Sequence, residues 1–124
     1  MNSARLYART INWDEIPTEI VRPGVSRRVY STDAVMLVQN IVEGGHEARP
    51  HAHEFDQLVQ ITDGRCDYFV SGKAHAMGPG DLMLVPARAE HYIVVTDGPC
   101  INVDVFAPPR SDYSNLIADP AEPT

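Results

Sequence analysis

The sequence has no cluster of lysine and arginine. Its 10 basic residues are scattered among 17 acidic ones, for a formal charge of −7. Phosphate backbones are bound by concentrated positive charge, so this distribution argues against nucleic acid as a partner. No apolar run is long enough to span a bilayer, and residues 1–17 lack the apolar core of a signal peptide. The expectation is a cytoplasmic chain with no membrane partner. Cysteine is scarce: Cys66 and Cys100 lie far apart and form no CxxC pair. They are expected to be reduced and packed as small hydrophobes, a single disulfide being the alternative. No period near 3.6 persists over three turns, which speaks against helices. There is no internal repeat, linker or low-complexity block.

What is present fits one small β domain. The length of 124 residues suits a single domain, and 44% hydrophobic residues can fill one core. The 10 prolines and 8 glycines are spread along the chain, as tight turns between short strands require. Strands are expected over residues 35–42, 57–62, 66–70, 74–77, 81–86, 91–96 and 101–106. Turns are expected at Asp63-Gly64, Ser71-Gly72, Gly78-Pro79-Gly80 and Asp97-Gly98-Pro99. The pattern predicts an all-β sandwich or barrel. It divides the chain into an irregular N-terminal arm (1–24) with Trp13 and Ile16 as anchors, a barrel (25–110), and a tail (111–124) that frays.

Histidines carry the chemistry. There are five: His46, His51, His53, His75 and His91. Side chains at i and i+2 of an extended strand share a face, so His51 and His53 can approach one ion together. Gln57 offers an amide oxygen as a further ligand, and His91, at the head of a later strand, can close the set. A lone HxH in a loop is more often merely solvated. Here a third histidine and Gly/Pro punctuation around both segments favour a metal site. His46, in a Gly-rich loop, and His75, beside a turn, are read as bystanders.

The spacing Gly45-x5-His51-x-His53-x3-Gln57-x6-Gly64 resembles the first motif of the cupin family, which has Glu where this chain has Gln57. Gly80-x5-Pro86-x-Arg88-x2-His91 resembles the second, with Arg88 in place of Gly; that motif's closing Asn falls at Val95. The resemblance implies a double-sheet cupin barrel (a jelly roll) holding one divalent transition metal per chain on His51, His53, Gln57 and His91. A neutral Gln57 leaves the site at +2, a stronger Lewis acid than with Glu, and disfavours the high oxidation states of oxygenation. Isomerisation, lyase or hydrolytic chemistry is favoured. Mn, Fe, Ni and Zn all accept such ligands.

On the last strand Asp104 and Phe106 share a face, opposite Val103 and Val105. Periodicity alone leaves open whether Asp104 faces the lumen or solvent. The run Asp104-Val-Phe106-Ala-Pro-Pro-Arg110-Ser-Asp-Tyr113, with Gly24-Val25-Ser26-Arg27-Arg28, resembles the KdgF-type cupins of pectin and alginate breakdown, which open 4,5-unsaturated monouronates to linear keto-deoxy sugar acids. That resemblance implies a three-His, one-Gln site, with Asp104 and Phe106 acting in it and Arg110 near the sugar carboxylate. Arg88 is a second candidate for the carboxylate, or a solvated loop cation. It also implies a homodimer acting on a small acid. The alternatives are a dioxygenase or hydroxynitrile-lyase type of cupin, and a non-enzymatic module binding a sugar or small acid.

Overall fold

The computed structural model describes residues 8–110, an all-β domain of seven antiparallel strands. These are β1 (Glu19–Arg22), β2 (Val25–Ser31), β3 (Met36–Val42), β4 (Gln57–Val70), β5 (Lys73–Met77), β6 (Leu82–Val85) and β7 (His91–Phe106). Among the described residues the helical content is one 3-10 turn, Trp13–Glu15. None of their helices is long and apolar enough to cross a membrane. The hydrogen-bonded order is β1-β2-β3-β7-β4-β5, with β6 also paired to β4.

Two expected turns are not turns. Asp63-Gly64 lies inside β4, and Asp97-Gly98-Pro99 lies inside β7. The two long strands pair from Leu58↔Val105 to Val70↔His91, and their register slips between Ile61 and Cys66. The slip bends both strands, so each serves two halves of a rolled sheet. Gly64 is required at the bend. Its φ is +73°, and a Cβ there would lie 2.6 Å from Asp97 O and 2.8 Å from the Cys100 Cα. The Ser71-Gly72 turn does close a hairpin; both φ values are positive (50° and 82°), as a type I′ turn demands.

The arm is also more ordered than its composition suggests. β1 pairs with β2, and Arg28 Nε donates to Ile16 O at 2.8 Å, which seats the half-buried Ile16 beside the outward face of β2. The expected fraying tail, with Asp112 and Tyr113, lies outside the described residues.

The core alternates along the strands. Val59, Ile61, Cys66 and Tyr68 on β4 meet Met77, Val85 and Cys100 in one buried cluster. Val29, Met36, Val38 and Phe106 form a second, backed by Phe55. Each such side chain contributes roughly 1.5–3 kcal/mol by leaving water. Cys66 and Cys100 are free thiols, buried and in hydrogen-bond contact. The neighbouring thiol and burial push the Cys66 thiol up, which keeps it protonated and unreactive.

Candidate metal centre and ligand cavity

Three of the expected ligands converge. Ligand atoms of His51, His53 and His91 all lie within 4.8 Å of one another. The backbone does this. His51 and His91 form an isolated antiparallel bridge, His51 N donating to His91 O at 3.1 Å and His91 N to His51 O at 2.8 Å. Each ring also has its tautomer fixed. A carbonyl oxygen only accepts, so the short contacts of His51 Nδ1 to Arg49 O (2.8 Å) and His91 Nδ1 to Ala89 O (2.9 Å) require N–H at Nδ1. The lone pair is then on Nε2 of both rings, the arrangement that metal-binding histidines show.

Packing fixes the rest. His53 stacks on Phe55 (5.0 Å between centroids, 6° between planes) and meets the Phe106 edge at 6.0 Å. His91 lies parallel to the Tyr68 ring at 6.3 Å. Burial lowers the His91 pKa, the Ala89 carbonyl opposing and the His51 and Arg110 charges adding to it, so the ring is held neutral.

Gln57 is 3% exposed and lines the same cavity. Its amide lies beside Tyr68 and Asp104 and favours the charged form of both. A carboxylate can only accept, so Gln57 presents its NH2 to Asp104. The amide oxygen Oε1 is buried without a hydrogen-bond partner among the described residues, and so is His91 Nε2. Orphaned buried acceptors cost about 1–3 kcal/mol each. A divalent cation beside them removes that cost, so the donor set fits the metal the sequence implied.

Asp104 faces inward. Its Oδ2 accepts from Asn40 Nδ2 at 2.8 Å, and the same amide reaches Asn102 Oδ1 at 2.9 Å. Burial pushes the Asp104 pKa up to about 6, against the hydrogen bonds from Asn40 and Gln57 and the Arg110 charge. The Arg110 guanidinium lies 5.4 Å over the Phe106 ring. His51, His53, Gln57, Asp104 and Arg110 share one cavity of about 370 Å³, a size that suits a small molecule.

Other expectations change. Phe106 faces inward but is 1% exposed beneath His53 and Phe55 and does not line the cavity. Its ring lies against His53 and beneath the Arg110 guanidinium. Arg88 also stands apart from the cavity; it is a solvated loop residue whose ion pair with Glu54 spans 3.8 Å. His75 pairs across from Tyr68 on the outer strand β5. His46 does line the cavity, but its ring nitrogens face Glu43 O (3.2 Å) and Ile93 O (2.9 Å), which leaves it outside the cluster. Asn40, Asn102, Tyr68 and Arg27, all in this lining, did not stand out as site residues in the sequence.

The Cupin domain family model matches residues 37–106. The chain is a cupin. KdgF from Halomonas sp. superposes with a TM-score of 0.79 at 28% identity, over 86% of this cupin and 98% of that chain. An RmlC-like cupin from Shewanella frigidimarina gives 0.78 at 25% identity, over 86% and 96%. The polyketide cyclase RemF from Streptomyces resistomycificus gives 0.68 at 20% identity, over 90% and 99%, a likeness of fold alone. No curated protein sequence matches this cupin. The family's second motif has Gly where Arg88 stands, and the cause is visible: Arg88 has φ +68° while its N–H donates to His53 O.

Proposed function

We propose that this cupin is a metal-dependent enzyme that opens a 4,5-unsaturated uronate and tautomerises it to a linear keto-deoxy sugar acid. The observation that carries this reading is Asp104, a half-buried carboxyl in the histidine cavity, held near pKa 6 beside Arg110. The likeness to KdgF of Halomonas sp. supports it.

His51, His53, Gln57 and His91 would hold one divalent ion, which supplies Lewis acidity toward substrate oxygens when bound. Arg110 would take the sugar carboxylate, because its planar fork gives two parallel charge-assisted bonds. Asn40 fixes Asp104 Oδ2 and leaves Oδ1 to the ligand. Near pKa 6, Asp104 can both accept and return a proton at neutral pH. It would take the proton of the anomeric hydroxyl as the C1–O ring bond breaks to leave an enolate, and deliver it to C4 as the enolate becomes a ketone. Phe106 keeps His53 and Arg110 in place from beneath.

The test follows the loss of conjugated-alkene absorbance of an unsaturated monouronate. The wild type should accelerate it over buffer, and Asp104→Asn should lose roughly 10²–10⁴-fold in turnover. No acceleration by the wild type ends the uronate reading. Equal rates remove Asp104 from it.

We also infer a homodimer, with a second copy on one outer face. Leu37, Val105, Leu58 and Leu84 stand directly opposite one another across β3, β7, β4 and β6, facing outward. Leu58 and Leu84 are more than half exposed. The row carries no charge in a chain of net −7, so two copies can meet there without repulsion.

A further inference from the structure

The charge of the cavity opposes the charge of the chain. The protein carries −7, yet Arg22, Arg27, Arg49 and Arg110 all line one cavity, and Asp104 is the sole acidic side chain among its described lining residues. Only one of these arginines is needed for a single carboxylate.

Strand register sets their order along the barrel. Phe106, beneath Arg110, lies at one end of the inward face of β7, followed by Asp104, Asn102 and Cys100. Arg27 belongs to the Asn102 row, through Arg27↔Asn40 and Asn40↔Asn102. Arg22 belongs to the Cys100 row, through Val25 and Val42. From Phe106 to those rows is four to six residues of strand, about 13–20 Å of backbone. The Arg22 and Arg27 wall therefore lies across Asp104 from the Arg110 end.

The wall is built to hold positive charge together. Glu19 on β1 holds Arg27 through a 2.5 Å contact to Nε, and the Arg27 side chain is 16% exposed. Arg49 contacts Glu47 Oε1 at 2.9 Å, and Arg22 donates to the Glu47 backbone oxygen at 3.2 Å. Glu47 is 73% exposed, so water screens the charge it offers. Arg22 Nε is buried with no acceptor among the described residues. Guanidinium groups gathered this way, with a buried N–H left over, suit an anion from outside the chain.

We propose that Arg22, Arg27 and Arg49 form a second anion-binding position, so that the cavity takes a sugar acid with a further carboxylate or phosphate on the side remote from Arg110, on a carbon other than the anomeric one. This rests on the proposed function only for the Arg110 end; it adds a second anionic group to the substrate class.

Isothermal titration of the purified protein with gluconate, glucarate and 6-phosphogluconate tests it. These probes share a linear six-carbon chain and differ in the far end: hydroxyl, carboxylate or phosphate. At fixed ionic strength, at least one of glucarate and 6-phosphogluconate should bind about tenfold tighter than gluconate or more. Which of the two wins identifies the second group. Arg22→Gln with Arg49→Gln should reduce the tighter acid to the level of gluconate, and Arg27→Gln should do so separately; cooperative thermal unfolding checks that each variant is folded. Equal binding of the three probes, no binding of either glucarate or 6-phosphogluconate, or a preference that survives in folded variants overturns the proposal. Because the readout is binding of saturated acids, its failure is distinct from failure to turn over an unsaturated uronate.

Discussion

Asn40 donates to Asp104 across neighbouring strands, its Nδ2 lying 2.8 Å from Asp104 Oδ2. That one bond does not offset burial, which pushes the carboxyl from its ordinary 3.8 to about 6. Between those values the folded chain binds more protons than the unfolded one. The stability contributed by protonated Asp104 is present in full below pH 3.8 and is lost as pH rises through about 6. In protein stripped of metal by chelator, Asp104→Asn should therefore be more stable than the wild type near about pH 7.5, by about 3 kcal/mol. Urea titrations should show the gap closing near about pH 4. A gap that ignores pH would mean that Asp104 is not the group responsible.

The metal prediction concerns composition. Protein purified without chelator should carry close to one divalent transition-metal ion per chain, and His51→Ala with His53→Ala should carry none. Elemental analysis decides it, and full occupancy in the double variant sinks the ligand assignment. Metal added to the stripped wild type should raise its unfolding temperature with concentration, since an ion that binds only the folded state stabilises it by mass action.

Two backbone positions predict opposite signs. Gly64→Ala places a Cβ against the Asp97 and Pro99 carbonyls at φ +73°, and should cost at least about 3 kcal/mol. Arg88→Gly relieves φ +68° and keeps the N–H to His53 O, so it should gain about 0.5–1 kcal/mol. The Glu54 pair it loses is exposed on both sides and contributes little. Denaturant midpoints measure both; a destabilised Arg88→Gly would show that the side chain matters more than its backbone strain.

The apolar outer row predicts assembly. Light scattering at micromolar concentration should give twice the 13.7 kDa chain mass, and Leu58→Glu with Leu84→Glu should give the monomer. A monomeric wild type ends the dimer reading; a dimer indifferent to both charges moves the interface elsewhere.

The histidine cluster was legible because its signals are local. The period of two places His51 and His53 together, and the spacing to Gln57 and His91 carries the family pattern. Asn40 was not legible, because it meets Asp104 only through a register between strands 64 positions apart. Asn102 left a usable signal: it shares the alternating face of Asp104 and Phe106. Gly64 and Pro99 read as turns because local chemistry cannot tell a turn from a bulge; pairing of β4 with β7 decides it. β1 was missed because four residues are too few to show a period.

The His51–His91 bridge has one more consequence. Two of the four expected ligands are fastened to each other through their own peptide groups, so their separation is a property of the sheet and precedes any ion. A backbone spacing set in advance does not by itself choose among ions of similar radius. The occupant would then follow cellular metal supply, and growing the same gene product in media of different metal content becomes a way to vary the reactivity of the centre while its architecture stays constant.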